Sequence, residues 1–349
     1  MSDFYKLSLA SVDPLTPNAV ALTFAIPDSL KTIFSFEAGQ YITLKHEVNG
    51  QEVRRAYSIS SAPSSGILTV GIKKVEGGIF SVYANNKIKK GDVLEVMPPD
   101  GRFVFKKNEG QKTVAAFAAG SGITPIMSIA QTVLEANDTN KFVLVYGNQK
   151  PEEAMYLSNL KALQSKYSER FFIEEIYSRT NVPDCLFGRI ETSTVNLIIK
   201  NKYKEFEFDA FYLCGPETMI EAVSTTLKSS GVNEDKIHFE LFTSSETENS
   251  LAENLNGKTK VEVLVDDETF HIEMDQKELI LDAVLKEDID APFSCQGGVC
   301  SSCIARITEG KAEMIKNQIL TDSEVAEGLI LTCQAHPTTA AIKVDYDDV

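Results

Sequence analysis

Short stretches in which apolar and polar residues alternate fill the first third of the chain. Five of them have the sequences AVALTFAI, QYITLKHEV, RRAYSISS, GILTVGIKKV and DVLEVMPP. Such alternation is typical of strands that bury one face, and turn residues such as Pro14 and Asn49-Gly50 separate the stretches. The pattern predicts an N-terminal antiparallel β-barrel over residues 1–110, interrupted by one helix near residues 78–86.

A different pattern follows residue 110. Continuous apolar strands such as TVAAFAAG, KFVLVYGN and FDAFYLCGP alternate with helical segments such as SGITPIMSIAQTVLEAN, EEAMYLSNLKALQSKY and TMIEAVSTTLKSSG. This alternation predicts a central doubly wound parallel α/β domain over residues 111–243. The polar stretch SSETENSLAENLNG, residues 244–257, has no aromatic residue and predicts a linker. Short strands and a helix near residues 279–285 then predict a small α+β domain over residues 258–349.

Composition and charge narrow the class of protein. Hydrophobic residues make up 43% and charged residues 24% of the chain, which is typical of a globular protein. No apolar run is long enough for a transmembrane helix and no signal peptide is visible, so we expect a cytoplasmic protein. The net charge of −16 argues against nucleic acid binding. Residues 258–349 carry 8 Lys and Arg against 19 Asp and Glu, or −11, which indicates either a solvated surface or an acidic docking face for a redox partner.

Four cysteines in the last domain have the spacing C-x4-C-x2-C…C. They are Cys295, Cys300, Cys303 and Cys333. This is the ligand spacing of a plant-type 2Fe–2S cluster, and the two glycines within the loop CQGGVCSSC let the backbone approach the sulfurs. A structural zinc site is the alternative, which the four-residue gap and the glycines disfavour. The two cysteines outside this set are not expected to be ligands.

Two motifs in the predicted barrel suit a flavin. The sequence Arg55-Ala56-Tyr57-Ser58 places an arginine and a tyrosine on one face of a strand, where they can bind a phosphate and cover an aromatic ring. Farther along, a glycine pair opens a helix whose free N–H groups can bind a pyrophosphate. The candidates there are Gly77, Gly78 and Ser81.

Two loops in the predicted α/β domain suit a nicotinamide coenzyme, because both follow strands and open helices at the edge where such sheets bind ligands. The first loop has the sequence GSGITP and comprises Gly120, Ser121, Gly122, Ile123, Thr124 and Pro125. The second contributes Cys214, Gly215, Pro216 and Met219. Cys214 is placed to face the nicotinamide or, alternatively, to serve as a small buried core residue.

The motifs R-x-Y-S, G-S-G-I-T-P and Y-L-C-G-P occur in the order found in the ferredoxin–NADP reductase superfamily. With the C-terminal cysteines, nearly the whole chain resembles the reductases that join flavin, nicotinamide and plant-type ferredoxin domains. The stretches TEGKAEM, LTCQA and KVDYD are similar to those of phenylacetyl-CoA epoxidase reductases. Reductases of ketosteroid and related hydroxylases share this architecture, whose last domain is a β-grasp fold.

The resemblance implies roles for individual residues. Arg55, Tyr57 and Ser58 would contact the phosphate, ring and N5 edge of FAD, although the residues alone do not distinguish FAD from FMN. Thr124 would lie at the junction of flavin and nicotinamide, with Cys214 and Glu240 near the nicotinamide. Phe242 would either cover the flavin or belong to the core.

The expected reaction is electron transfer from NADPH through FAD and the 2Fe–2S cluster to an oxygenase. The resemblance favours the di-iron phenylacetyl-CoA epoxidase complex of aerobic phenylacetate degradation as that partner. A Rieske-type or steroid hydroxylase and a general acceptor remain as alternatives. Ser178-Arg179, with Lys150 or Arg189 nearby, could bind the 2′-phosphate of NADPH, which favours NADPH over NADH.

Overall fold

The computed structural model describes residues 4–106, 111–242 and 255–349. Most of the predicted linker 244–257 lies outside these residues. The chain divides into two compact units. One comprises Phe4–Val53 and Tyr57–Phe242, and the other comprises Arg54–Ala56 and the described part of Thr243–Val349. Each unit is described by itself.

The first unit begins with a six-stranded antiparallel barrel. Its strands are β1 (Tyr5–Thr16), β2 (Ala19–Ala25), β3 (Tyr41–Val48), β4 (Gln51–Ser58), β5 (Leu68–Lys73) and β6 (Val93–Val96). They lie in the order β4-β3-β6-β1-β2-β5, and a bridge between Ile59 and Val70 joins the two edges. Helix α1 (Ile79–Asn86) connects β5 to β6 and buries Phe80 in the barrel core.

A six-stranded parallel sheet completes the first unit. Its strands are β7 (Thr113–Ala119), β8 (Lys141–Asn148), β9 (Phe171–Tyr177), β10 (Leu186–Phe187), β11 (Ala210–Cys214) and β12 (Ile237–Glu240). The helices are α2 (Ile123–Ala136), α3 (Leu157–Lys166), α4 (Thr192–Asn196) and α5 (Glu217–Ser229). The order β10-β9-β8-β7-β11-β12 reverses between β7 and β11, and open α/β sheets bind ligands at such a reversal.

The second unit contains a five-stranded mixed sheet, a two-stranded sheet of β16 and β18, and a helix that packs on the mixed sheet. The strands of the unit are β13 (Lys258–Val265), β14 (Glu268–Asp275), β15 (Ile304–Glu309), β16 (Ala312–Met314), β17 (Leu329–Leu331), β18 (Ala335–Pro337) and β19 (Ala341–Asp345). The main sheet has the order β14-β13-β19-β15-β17, with β13 parallel to β19. Helix α6 (Ile280–Lys286) buries Ile280, Leu281 and Val284, and a short helix α7 (Asp322–Ala326) precedes β17.

The predicted fold class is confirmed: an antiparallel barrel, a parallel α/β sheet and a β-grasp domain follow one another. Three local predictions differ from the structure. Pro14 does not lie in a turn but within β1, at a register shift where a missing N–H is tolerated. The helix predicted from Glu152 begins only at Leu157, because Tyr156 adopts a left-handed conformation with φ +59°. A π-helical segment, Leu197–Lys202, follows α4 and was not expected.

Among the described residues, no helix is both long enough and apolar enough to cross a lipid bilayer.

Candidate functional site

The ends of β7 and β11 lie side by side at the reversal of the parallel sheet. A methyl group on Gly122 would lie 2.1 Å from the carbonyl oxygen of Cys214, so the two predicted loops touch through their backbones. A methyl group added to Gly215 would lie 2.7 Å from the Met219 side chain. Position 122 therefore requires glycine, because backbone atoms of Cys214 fill the space, and this close approach brings the two loop backbones to one place at the carboxyl edge.

Three of the predicted catalytic residues meet beside these loops. Cys214 on β11 is fully buried and pairs in register with Glu240 on β12. The Ser58 hydroxyl, at the end of barrel strand β4, donates a hydrogen bond of 3.0 Å to Oε2 of Glu240. Burial raises the pKa of Glu240 to about 8, and it raises the pKa of the Cys214 thiol well above its ordinary value. A neutral thiol and a carboxyl that holds its proton at neutral pH thus stand at the site.

Thr124 connects the parallel sheet to the barrel. It is 2% exposed, its hydroxyl donates to the Ser121 carbonyl at 3.0 Å, and its methyl group packs close to Gly71 of β5. Nearby, the hydroxyl groups of Tyr156 and Ser60 are hydrogen-bonded at 2.8 Å. These contacts explain the left-handed Tyr156, since that conformation brings its ring to the barrel.

The predicted flavin residues on the barrel occupy one strand and one helix start. Arg55 is exposed and donates to the Arg54 carbonyl at 2.7 Å, and Ala56 is half-buried. Tyr57 is half-buried with its ring 5.7 Å from that of Phe80, the second residue of α1.

The glycine pair forms a turn that leads into α1. Gly77 has φ +74°, and the Gly78 N–H donates to the Val75 carbonyl at 3.0 Å. The Ser81 hydroxyl accepts a bond of 3.1 Å from the Val75 N–H. The first N–H groups of α1 lie just beyond this turn, where a phosphate is stabilised by a helix N-terminus. The residues present fit a flavin pyrophosphate.

Phe242 is half-buried and packs against the core that surrounds α2. The sequence left two alternatives for Phe242, a contact with the flavin and a place in the core, and this packing agrees with the second. The flavin role of Phe242 stays a prediction.

The residues predicted to select the coenzyme follow β9. The N–H groups of Ser178 and Arg179 donate to the carbonyls of Asn148 and Gln149, each at 3.0 Å. This holds the loop against the end of β8 and leaves the Arg179 side chain exposed. Lys150 and Arg189 are also exposed, so both side chains are available to an anion.

Two residues here were not predicted. Phe187, on the strand next to β9, is 67% exposed and pairs in register with Tyr177, which directly precedes Ser178. Lys73, at the end of β5, places its ammonium group 3.6 Å from the position of a methyl group on Gly120. The residue Lys73 is half-buried, and within the described part of the chain its ammonium group has no hydrogen bond or ion pair. In the sequence, Lys73 ends an alternating strand and is followed by Lys74. Only the folded position of the Gly120 loop distinguishes Lys73 from its neighbour.

The four cysteines meet in the second unit. Hydrogen bonds from Cys300 and Cys333 lower the pKa of Cys295, and a hydrogen bond from Cys333 lowers that of Cys303. The Gly297 N–H donates to Cys295 Sγ at 3.3 Å. Among the described residues, no three His, Cys, Asp or Glu side chains are grouped closely enough to hold a single metal ion. The contacts between the thiols form one continuous series, Cys300–Cys295–Cys333–Cys303. Four thiols gathered in this way, with the spacing C-x4-C-x2-C…C, fit a 2Fe–2S centre, in which each iron takes two protein thiolates.

Gln334 supports the cysteine loop from the strand side, because its side-chain amide donates to the carbonyls of Gln296 and Cys333. Gln296 and Gly298 have φ values of +53° and +72°. Such left-handed residues curl the backbone toward the sulfurs. Cys185 and Cys214 lie in the other unit and are not among the candidate ligands.

Comparison with known proteins agrees with this geometry. Three family descriptions match successive segments: "Oxidoreductase FAD-binding domain" over residues 6–105, "Oxidoreductase NAD-binding domain" over 117–225, and "2Fe-2S iron-sulfur cluster binding domain" over 263–338. A solved phthalate dioxygenase reductase has a TM-score of 0.63 and 23% identity, with 98% of each chain covered. That likeness shows that the fold is shared.

Two curated relatives align over almost their full length. One of the subunits of 1,2-phenylacetyl-CoA epoxidase from Escherichia coli (strain K12) is 36% identical over 351 residues, which is 99% of this chain and 99% of the relative. The ferredoxin reductase component of 3-ketosteroid-9-alpha-monooxygenase from Rhodococcus rhodochrous is 31% identical, covering 97% of this chain and 96% of the relative. The chain therefore belongs to the family of electron-transfer reductases that join FAD-binding, NAD-binding and 2Fe–2S domains.

Proposed function

We propose that this chain takes electrons from NADPH and delivers them to a phenylacetyl-CoA epoxidase. The observation that carries the proposal is the 36% identity to one component of such an epoxidase over 99% of both chains. When bound, FAD accepts hydride from the nicotinamide, and the 2Fe–2S centre carries one electron at a time. The chain's own residues bind these groups, orient them and exclude water.

Ser58, Cys214 and Glu240 serve the meeting point of flavin and nicotinamide. Glu240 is buried and, because its pKa is raised to about 8, keeps a proton on its carboxyl group at neutral pH. The Ser58 hydroxyl, bonded to that carboxyl, presents a polar atom to the flavin edge without adding charge. Cys214 is a small neutral side chain buried in the core beside the expected nicotinamide position, and buried Thr124 holds the loop next to it.

The phosphates are bound by backbone and cations. Arg55 and the start of α1 hold the flavin phosphates, with Gly77, Gly78 and Ser81 shaping the turn. The glycine loop at the end of β7 holds the coenzyme pyrophosphate, and Lys73 reaches the same loop from the barrel. The Lys73 ammonium lies beside this loop and can attract the negative charge of a pyrophosphate.

The far end of the coenzyme lies at β9 and β10. Arg179, with Ser178, binds the 2′-phosphate of NADPH, and the exposed ring of Phe187 stacks on the adenine. Arginine suits a phosphate because its planar group forms two parallel hydrogen bonds. No acidic residue stands at this position, where a carboxylate would favour the 2′-hydroxyl of NADH.

Domain limits of 1–110, 111–243 and 258–349 are part of the same proposal, with 244–257 as the linker. We also place the protein in the cytoplasm, because thiols remain reduced there and can hold an iron–sulfur cluster.

The direct test combines the purified chain, NADPH and the oxygenase complex of a phenylacetyl-CoA epoxidase. We expect O2 consumption that requires phenylacetyl-CoA and all three components. The control is Cys333→Ser, which removes one cluster ligand, so NADPH should still reduce ferricyanide through the flavin while the epoxidase receives no electrons.

Turnover with a 3-ketosteroid monooxygenase and none with the epoxidase would instead assign the chain to that second class of partner. The 31% identity over 97% of the chain makes that class the main competitor. A colourless protein, without flavin or iron, would contradict the whole electron-transfer chain.

A further inference from the structure

Tyr346 directly follows β19 and carries a buried hydroxyl that forms no hydrogen bond with any described residue. The residue is 5% exposed and its N–H donates to the Leu264 carbonyl at 2.9 Å. Its phenolic oxygen is inaccessible and makes no hydrogen bond within residues 4–106, 111–242 and 255–349. A buried hydroxyl normally pairs, and leaving one unpaired is costly. The Tyr346 hydroxyl therefore needs an explanation.

The surroundings of this hydroxyl point toward the cysteine site. Tyr346 belongs to the same hydrophobic core as Cys303 and Cys333. Both thiols, together with the Thr332 hydroxyl, are close enough to influence the pKa of the tyrosine. The Thr332 N–H and hydroxyl both donate to the Cys303 carbonyl, each at 3.0 Å, so the hydroxyl hydrogen of Thr332 is already used.

We propose that the Tyr346 hydroxyl donates a hydrogen bond to the sulfur on the Cys303–Cys333 side of the 2Fe–2S centre and thereby raises its reduction potential. This rests on the proposed function, because it assumes that the four cysteines hold that centre. The reduced centre carries one more electron than the oxidised one, and a donor aimed at its sulfur stabilises the added negative charge. Tyr346 keeps its proton, and no bond breaks in the step.

The proposal is tested by the midpoint potential of the full-length chain, measured by anaerobic titration and followed by the EPR signal of the reduced centre. Tyr346→Phe keeps the ring and removes the donor. We expect it to lower the equilibrium constant for reduction roughly tenfold, which corresponds to about 59 mV for one electron. Replacing Tyr346 with 3-fluorotyrosine keeps the hydroxyl and makes it a stronger donor, so the potential should move upward.

Thr259→Val is the matched control. Thr259 is also buried in the same domain, but its hydroxyl donates to the Thr339 carbonyl at 2.6 Å instead of facing a cysteine. Its removal should leave the potential unchanged. An unchanged potential in Tyr346→Phe at full iron content would overturn the proposal. If Tyr346→Phe loses its iron, the chain with 3-fluorotyrosine provides the test. The proposal is then overturned if the potential of that chain does not rise.

Failure of this inference is distinguishable from failure of the proposed function. A wild-type chain without a 2Fe–2S signal would overturn both. A normal 2Fe–2S signal with the same midpoint potential in the wild type and in Tyr346→Phe would overturn the inference alone.

Discussion

Glu240 shows how one buried residue can make stability depend on pH. Burial raises its pKa from 4.5 to about 8, and the hydrogen bond from Ser58 only partly offsets the shift. A carboxyl whose pKa is raised on folding binds its proton more tightly in the native state. Its contribution to stability is therefore fully present below about pH 4.5 and is lost as pH rises toward 8.

We predict that Glu240→Gln removes this part of the pH dependence. Between about pH 5 and pH 8, the unfolding free energy of the wild type should fall by a few kcal/mol relative to the variant. The apparent melting temperature, followed by flavin fluorescence, should fall with it. Ser58→Ala serves as a second variant that keeps the carboxyl and should keep the slope. Parallel curves for wild type and Glu240→Gln would show that Glu240 is ionised throughout.

The two cations that we propose for coenzyme binding, Arg179 and Lys73, should be separable by kinetics. Arg179→Gln should raise the KM for NADPH by roughly 10- to 100-fold, because a charge-assisted phosphate contact contributes about 1.5–3 kcal/mol, and should barely change the KM for NADH. Lys73→Gln should raise both KM values alike, since both coenzymes carry the pyrophosphate. Lys74→Gln, the adjacent lysine, is the control. Equal effects of Arg179→Gln on both coenzymes would contradict its assignment to the 2′-phosphate.

Residue types and their spacing predict part of the candidate site but not all of its residues. The sequence alone predicts the four cysteines, because their spacing is specific. Lys73 and Phe187 were missed, since a strand-end lysine and a surface phenylalanine gain meaning only from the loops beside them. The unpaired state of the Tyr346 hydroxyl also depends on packing that no local pattern reveals.

At the scale of elements, the contact between α2 and β11 depends on one glycine, Gly122, which has no side chain. Gly122 has no room for a methyl group, which would lie 2.1 Å from the Cys214 carbonyl oxygen and 2.5 Å from its carbon. Backbone atoms cannot turn aside as a side chain can. The start of α2 would have to move away from the end of β11.

We therefore predict that Gly122→Ala weakens NADP+ binding at least tenfold and lowers stability by roughly 1–3 kcal/mol, as overpacking does in other cores. Difference absorption spectra on titration with NADP+ measure the first effect and thermal unfolding the second. Gly147→Ala is the matched control on the neighbouring strand, where the methyl group would lie 3.2 Å from the Ile190 side chain and at an ordinary contact distance of 3.8 Å from the Ala118 carbonyl oxygen. Equal binding by both variants would contradict the prediction.

Elements with strong periodicity were predictable and those shaped by tertiary contacts were not. The apolar strands of the parallel sheet follow from sequence because they are buried on both faces. The two-residue β10 is too short to show a period. The late start of α3 results from the Tyr156–Ser60 hydrogen bond, whose partners are 96 residues apart and invisible to any local window.

At the scale of the whole molecule, charge is concentrated at one end of the sequence. Residues 258–349 hold a net charge of −11 out of −16 for the chain. Long-range attraction between such a domain and a basic partner accelerates encounter and weakens when salt screens it.

We predict that electron delivery from the reduced chain to its oxygenase slows roughly tenfold as salt rises from about 0.1 M to about 1 M, because the Debye length falls from about 10 Å to about 3 Å. Stopped-flow reoxidation of the cluster measures this rate. Reduction of the cluster by saturating NADPH within the same chain is the control and should change little. A delivery rate that does not respond to salt would show that the acidic domain does not steer the encounter.

The bond between Ser58 and Glu240 also sets an order of events during synthesis. Its two residues are 182 positions apart, so the barrel can be complete long before its carboxyl partner exists. Glu240 is the last residue of β12, the final strand of the parallel sheet. A flavin taken up by the growing chain would meet an unfinished pocket until that strand is added. Firm retention of the flavin is then a sign that the whole first unit has folded, and a chain truncated before β12 should release it.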